Sequence, residues 1–399
     1  MQSLYKGVNA VTRLLFFSTI CSFCYCCTGN NKSGNSLSVD DSVRQVVDSA
    51  VTPVMQEYNI AGMAIGVTIN GERSFYNYGI ASKETRQKVT DETLFEIGSV
   101  SKTFNVTLAS FAQLTGYLSF GDRVSKYVPS LAGTAFDSVQ LLDLGTHTAG
   151  GLPQQLPLEV TDSVKLIKYY REWHPDYPHG TFRVYSNASI GLLGIVTAKA
   201  MHQPYLDLVE KKLLPALGVK NSYINVPSDK MSKYAQGYNF ADSPVRVNPG
   251  ILDAESYGIK SCTKDLLQFA EVNMRIGKTT DLWQTAVMNT HTGYFNSGVL
   301  TQDLIWEQYN YPVDSATLIV GNSGEMSQKP NPATRISPDL PPQENVLINK
   351  TGSTNGFGAY ILFVPSKKIG IVILANKSFA YAKRIRLALR ILAELEKHP

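Results

Sequence analysis

Two predicted β-hairpins, one near each end of the chain, constrain the fold more than any other feature of the sequence. Each hairpin combines two apolar or alternating runs with a turn signal between them, and Asn-Gly is the strongest two-residue turn of this kind. Because each hairpin needs a partner, we expect both to join one antiparallel sheet. The parts are Met63 to Ile69, Asn70-Gly71 and Ser74 to Gly79, then Gly358 to Val364, Pro365 to Lys368 and Ile369 to Ala375.

Predicted helices flank these hairpins. Ser38 to Met55 precedes the first hairpin and Tyr381 to Glu396 follows the second, each with apolar residues at helical spacing. Residues from about 99 to 280 have a mostly helical pattern. The expected fold class is α+β, with an antiparallel sheet built from both chain ends, flanked by helices, plus a mostly helical subdomain. We expect one unit over residues 38–399, with its α/β part at about 38–95 and 310–399 and its helical part at about 96–309.

The first 27 residues have the layout of a secretory leader. Lys6 and Arg13 precede an apolar run from Leu14 to Cys27, and a run of about 14 residues is shorter than the roughly 20 that span a bilayer. Four of the five cysteines lie in this segment, so its removal leaves Cys262 alone and no internal disulfide. We expect export to the periplasm and no stable membrane insertion after removal; a lipoprotein is the alternative.

Composition excludes several classes of function. With 43% hydrophobic and 18% charged residues the chain can bury a large core, and 37 basic against 33 acidic residues leave a net charge of only +4. The sequence indicates neither a stripe of basic residues that would bind nucleic acid nor a basic patch that would bind a membrane surface. The six histidines stand alone in sequence, without a zinc-type spacing. We therefore expect no metal, no cofactor and no nucleic-acid partner.

Serine chemistry without histidine needs another base, and Gly98 to Phe104 offers a lysine. Ser99 and Lys102 lie one helical turn apart, where a strand-like segment gives way to an amphipathic helix. A lysine acts as a base only when it is neutral, which burial or nearby positive charge favours. No Gly-x-Ser-x-Gly motif is present, which argues against an α/β-hydrolase.

Each motif is weak alone, but their order is informative. Ser-x-x-Lys occurs three times and Tyr-x-Asn three times, whereas Lys-Thr-Gly occurs once. The order Ser-x-x-Lys, Tyr-x-Asn, Lys-Thr-Gly is therefore the significant signal. The occurrences are Ser3/Lys6, Ser99/Lys102 and Ser261/Lys264, then Tyr185/Asn187, Tyr223/Asn225 and Tyr294/Asn296, and finally Lys350-Thr351-Gly352.

With these motifs, nearly the whole chain beyond the leader resembles the class C serine β-lactamases, within the wider family of serine penicillin-recognising enzymes. The resemblance implies a β-lactamase/DD-peptidase-like fold and a hydrolase that opens the lactam amide of penicillins and cephalosporins. Five further sequence segments also resemble this class: Phe95 to Ser99, Thr148 to Pro153, Tyr185 to Gly191, Asp253 to Gly258 and Leu374 to Lys377.

The resemblance also implies catalytic roles. Ser99 is expected to be the nucleophile that forms an acyl-enzyme, and Lys102, Tyr185 and Lys350 the proton-transfer set. Two ammonium groups beside the phenol would stabilise its anion, so either that phenolate or a neutral Lys102 could accept the serine proton. The backbone amides of Ser99 and Ser353 are expected to form the oxyanion hole.

A β-lactam is the expected small-molecule partner, and its binding residues follow from the same resemblance. Lys350 and Thr351 are expected at the ring carboxylate, and Asn187 and Gln155 at the amide of the variable side chain. Glu307 is expected to pair with a cationic group. The full predicted set is Gln155, Asn187, Tyr257, Lys350, Thr351, Gly352, Ser353 and Arg384.

The sequence departs from the class near its C-terminal end. Two asparagines that help to bind the carboxylate are replaced by Ser378 and Tyr381, which bears on penicillin versus cephalosporin preference. Arg384 is expected to add positive charge nearby, with a solvated helix face as the alternative. Asn322 to Gln343 is expected to be a loop at the edge of the site.

Three functions on this scaffold are open at the level of sequence. The first is β-lactam hydrolysis. The second is a D-alanyl-D-alanine carboxypeptidase or esterase, which penicillin merely inhibits. The third is a penicillin-binding sensor, which would need a receptor-type membrane span, and the chain beyond its leader has none. Lys350 and Gln155 favour the first, and we expect a monomer.

Overall fold

The computed structural model describes residues 39–397. The predicted leader, residues 1–27, lies outside the described residues. Among residues 39–397, no helix combines the length and the apolar character that crossing a membrane requires.

A nine-stranded sheet with antiparallel pairing throughout organises the fold. In chain order its strands are β1 (Gly62–Ile69), β2 (Glu72–Gly79), β3 (Gly293–Ser297), β4 (Leu300–Gln302), β5 (Glu307–Asn310), β6 (Thr334–Leu340), β7 (Val346–Ser353), β8 (Gly358–Val364) and β9 (Ile369–Ala375). Their spatial order across the sheet is β6, β3, β4, β5, β7, β8, β9, β1 and β2.

Both predicted hairpins form, and they pair with each other. Asn70 and Gly71 have φ values of 52° and 89°, as a hairpin turn with two left-handed residues requires. Strand β1 of the first hairpin pairs with β9 of the second in continuous register, from Met63 opposite Ala375 to Ile69 opposite Ile369. The predicted antiparallel sheet built from both chain ends is confirmed.

The helices that the structure describes lie on both faces of this sheet. In chain order the helices are α1 (Val39–Tyr58), α2 (Ser101–Leu114), α3 (Val124–Tyr127), α4 (Leu141–Gly145), α5 (Ser163–Glu172), α6 (Asn187–Ala200), α7 (Tyr205–Asp207), α8 (Leu214–Ala216), α9 (Asp253–Ser256), α10 (Thr263–Asn273), α11 (Asp281–Asn289), α12 (Ser315–Gly321), α13 (Gly324–Gln328) and α14 (Tyr381–Leu395).

The alternation of side chains along the central strands builds two cores. On β9, Ile371 and Ile373 pack with α1 and α14 on one face, whereas Val372 and Leu374 join the core under the helical part on the other. Burial on both faces explains why these strands are continuous apolar runs. The sheet is thus enclosed between two terminal helices and the helical part.

Two expectations about boundaries need correction. The sheet takes up its C-terminal strands from Gly293 onward and not from about residue 310. The segment Asn322 to Gln343 is not simply a loop, because it contains α13 and the edge strand β6. The residues of β6 are mostly polar and mostly exposed, as is common in an edge strand. A strand of this composition lacks the hydrophobic pattern by which strands are predicted from sequence.

Candidate active site

A cavity of about 850 Å³ opens between β7 and the helical part. It is lined by nine of the residues predicted from sequence to act in catalysis or substrate binding. Those nine are Ser99, Gln155, Tyr185, Asn187, Tyr257, Lys350, Thr351, Gly352 and Ser353.

The nucleophile candidate Ser99 lies in a single 3-10 turn, Gly98–Val100, directly before α2. Gly98 has a φ of +52°, and a Cβ at that position would lie 2.5 Å from the Ser353 amide nitrogen. A Cβ at Gly352 would lie 2.0 Å from the Ile97 carbonyl oxygen. Only glycine permits so close an approach. The main-chain amides of Ser99 and Ser353 are therefore brought to adjoining positions, as an oxyanion hole requires.

Lys102 lies beneath Ser99 and is fully buried. Its Nζ is 3.0 Å from Ser99 Oγ and 2.9 Å from the carbonyl oxygen of Ser256. Burial, together with the positive charge of Lys350, holds the pKa of Lys102 well below its usual value. A neutral amine at this position can accept a proton from the serine.

Tyr185 is buried between the two lysines. Its ring centroid is 5.3 Å from Lys102 Nζ and 5.1 Å from Lys350 Nζ. Burial raises the pKa of Tyr185, while the charge of Lys350 and a hydrogen bond with Ser99 partly oppose that rise. The lowered pKa of Lys102 favours a neutral amine over the second ammonium group that was expected beside the phenol. The resting phenol therefore keeps its proton.

Lys350 belongs to a buried charge network. Glu307 Oε1 lies 3.6 Å from Lys350 Nζ and 3.0 Å from Arg183 Nη2. Burial lowers the pKa of Lys350, but the charge of Glu307, with that of Tyr185, more than compensates, so the pKa is raised overall. Lys350 therefore stays charged, as an anion-binding group must. The sequence-based expectation that Glu307 pairs with cationic groups agrees with these distances.

Arg384 does not line the cavity, which corrects the predicted direct contact with the substrate, whereas its predicted contribution of positive charge near the carboxylate stays a prediction. Its side chain is fully buried behind β7, so the alternative of a solvated helix face is also wrong. Nη1 donates to the Gly352 carbonyl oxygen at 2.7 Å, and Nη2 donates to that of Phe379 at 2.6 Å and to Ser378 Oγ at 3.2 Å. Because Nη1 and Nη2 both donate to these groups, Arg384 supports the cavity wall from behind, whereas Nε has no hydrogen-bond partner.

Arg384→Met should lower the free energy of unfolding by about 3 kcal/mol, because the buried carbonyl oxygens of Gly352, Ala359 and Phe379 lose their charged donor. The methionine retains most of the packing of the side-chain stem. Denaturant unfolding checks this value. Arg386→Met, on the exposed face of the same helix, is the matched control and should change stability by about 0.5 kcal/mol or less. Equal effects of the two substitutions would contradict the supporting role.

The two departures from the class pattern occupy different positions. Tyr381, the first residue of α14, lines the cavity. Ser378 instead lies 3.4 Å from Ser353 through their hydroxyl oxygens and accepts a hydrogen bond from Arg384. The cavity is therefore lined by the phenol of Tyr381 at a position where the class pattern has the amide of an asparagine.

The sequence did not point to two residues that contact the catalytic side chains. Arg183 is fully buried, and besides Glu307 it donates to the Met326 carbonyl oxygen of α13 at 2.6 Å. His147 is buried against Tyr185, with ring centroids 4.4 Å apart. Arg183 stands two residues before Tyr185, so its position beside the Tyr-x-Asn motif was the available signal. His147 had none, because a lone histidine is usually a core residue.

Comparisons with known proteins agree with this geometry. The Beta-lactamase family model matches residues 47–396. A β-lactamase of Pseudomonas fluorescens is 49% identical over 355 residues, 89% of this chain and 99% of the relative. A class C β-lactamase in complex with cefoxitin is 51% identical, with a TM-score of 0.85 over 88% of this chain and 98% of that one. A D-alanine carboxypeptidase of Burkholderia cenocepacia is 48% identical, with a TM-score of 0.85 over 89% and 99%.

The fold, together with a serine held against a buried lysine, defines a serine hydrolase. Within that class, the chain belongs to the class C β-lactamase family.

Proposed function

We propose that this enzyme hydrolyses penicillins and cephalosporins through an acyl-enzyme on Ser99. The observation that carries the proposal is the 3.0 Å separation between Ser99 Oγ and Nζ of the fully buried Lys102 at the cavity wall. Covalent catalysis divides one difficult amide cleavage into two easier steps.

In acylation, Ser99 Oγ attacks the lactam carbonyl carbon while its proton passes to the neutral amine of Lys102. The carbon–nitrogen bond of the lactam then breaks, and the ring nitrogen takes a proton from Tyr185, which Lys102 reprotonates. The distance to Lys102 and its lowered pKa support this order of transfers. In the second half, water cleaves the ester and restores Ser99.

Charge complementarity supports the same substrate class. The Ser99 and Ser353 amides stabilise the oxyanion, and one such donor typically contributes about a hundredfold to a thousandfold in rate. The ammonium group of Lys350 and the hydroxyl of Thr351, both on the cavity wall, bind the ring carboxylate. Asn187 and Gln155 bind the side-chain amide on the opposite wall, beside Tyr257.

We further propose that the enzyme acts as a monomer in the periplasm. The basic and apolar pattern of residues 1–27 supports export. Export would also place the enzyme where β-lactams meet their cell-wall targets.

The alternative activity, D-alanyl-D-alanine carboxypeptidase, is favoured by one observation, the 48% identity to the D-alanine carboxypeptidase of Burkholderia cenocepacia. Such an enzyme would form the same serine ester from a cell-wall peptide. Both reactions use the same nucleophile. The two activities therefore differ in which acyl-enzyme ester is hydrolysed rapidly by water, the one formed from a β-lactam or the one formed from a peptide.

One assay separates the two activities. Purified enzyme is mixed with a chromogenic cephalosporin and, separately, with a peptide ending in D-alanyl-D-alanine. Multiple turnovers of the cephalosporin with little release of D-alanine are expected. Release of D-alanine together with a single stoichiometric burst of cephalosporin opening would overturn the proposal in favour of the carboxypeptidase.

A further inference from the structure

His147 forms hydrogen bonds with the short segment that contains Tyr185. It follows α4, has a φ of 62° and is almost fully buried. Its carbonyl oxygen accepts a hydrogen bond from the Val184 amide at 2.8 Å, and its Nδ1 accepts one from the Ser186 amide at 3.2 Å. The residues on either side of the tyrosine are thus both bound to His147.

The imidazole also touches the tyrosine ring itself. The two ring centroids are 4.4 Å apart, with the planes inclined at 48°. Among residues 39–397, His147 is the aromatic residue whose ring contacts the ring of Tyr185. The cationic groups of Lys102, Lys350 and Arg183 also lie close to the tyrosine ring. Packing of the imidazole against the phenol ring therefore limits movement of that ring.

The surroundings keep this imidazole uncharged. Burial lowers the pKa of His147 well below its usual value, and the charges of Arg183, Lys102 and Lys350 lower it further. An uncharged ring with Nδ1 as acceptor carries its proton on Nε2. This tautomer is the one that the Ser186 amide requires, and it adds no charge beside the lysines.

We propose that His147 is a positioning residue that fixes the phenol of Tyr185 for proton transfer during acylation. It acts by accepting a hydrogen bond from the Ser186 amide and by packing against the tyrosine ring. This inference rests on the proposed function, because it assigns His147 to the acylation step of the same site.

Two substitutions separate the acceptor from the ring. His147→Asn places an amide oxygen close to the position of Nδ1, and asparagine tolerates a positive φ. His147→Phe retains a ring of similar size but has no acceptor. Acylation is measured in single turnovers with a chromogenic cephalosporin, and each rate is normalised to the folded enzyme that becomes covalently labelled.

His147→Phe is expected to slow acylation by about 10-fold to 100-fold, the scale on which small misplacements of catalytic groups act. His147→Asn should recover most of this loss. In a Tyr185→Phe background, His147→Phe should cost less than about threefold, because the phenol that it positions is already absent.

Several results would overturn the inference. Equal acylation rates for the two His147 variants would exclude the acceptor, and an undiminished cost in the Tyr185→Phe background would show that His147 acts elsewhere. If His147→Phe does not fold, His147→Ala takes its place in both comparisons. If the unaltered enzyme fails to acylate, the proposed function itself is wrong, whereas normal acylation in His147→Phe rejects only the positioning role.

Discussion

Ser99→Ala should abolish covalent labelling by a penicillin and lower β-lactam turnover by about 10⁴-fold to 10⁶-fold. Loss of a catalytic serine has effects of this order, because the remaining groups can only assist attack by water. Ser99 Oγ faces the cavity and lies 3.0 Å from Lys102 Nζ. Intact-protein mass spectrometry after incubation with a penicillin measures the loss of the acyl adduct directly.

Ser353→Ala is the matched control for this experiment. Its side chain lines the same cavity, but the predicted oxyanion donor is its main-chain amide, which the substitution retains. This variant should still gain the mass of the penicillin. An adduct on Ser99→Ala would place the nucleophile at another residue, and peptide mapping would then identify it.

Four of the nine strands of the sheet, those of the two terminal hairpins, were predictable because local chemistry determines them. Asn70-Gly71 adopts the left-handed turn that its residue types favour, and β9 begins and ends at the predicted Ile369 and Ala375. The edge strand β6 was missed because a strand with one exposed edge and polar side chains lacks the alternation that marks a half-buried strand. Its place is determined by its pairing with β3, which is a long-range contact.

The repeated motifs show what spacing alone cannot distinguish. Ser261 and Lys264 have the same spacing as Ser99 and Lys102, yet Ser261 Oγ bonds to Ser222 Oγ at 2.8 Å and Lys264 pairs with Glu92. That lysine is about half exposed and lies beside a carboxylate, so it remains charged. Burial, and not spacing, makes a lysine a candidate base. Ser3 and Lys6 lie outside the described residues.

Arg384 and His147 mark the limit of sequence reasoning at the site. On a helical pattern an arginine is usually exposed, and only the folded structure reveals that Arg384 is buried behind Gly352. His147 lies 38 positions before Tyr185 along the chain, and chain folding alone brings the rings together. Both residues act through main-chain groups, which leave no signature in side-chain identity.

Lys102→Met should slow acylation by about 10²-fold to 10⁴-fold, the usual contribution of a general base. Methionine has a similar unbranched stem, so the buried space under Ser99 stays filled while the amine is lost. Single-turnover acylation followed in a stopped-flow instrument measures the rate, and thermal unfolding checks that the fold is retained. An acylation rate within about threefold of the unaltered enzyme would remove Lys102 from the proton transfer.

The pH dependence of acylation tests the same amine without removing it. The base must be neutral, so acylation should fall as the pH drops through the lowered pKa of Lys102. The charge of Lys350 contributes to that lowering, after burial. In Lys350→Met the pKa of Lys102 should therefore rise, and the acid limb of the single-turnover profile should move to higher pH. Because loss of carboxylate binding reduces the rate at every pH, a shift of the limb reports on a base whose pKa the charge of Lys350 lowers, and Lys102 and Tyr185 are both such groups. A limb that stays at its original pH would show that a different group accepts the proton of Ser99.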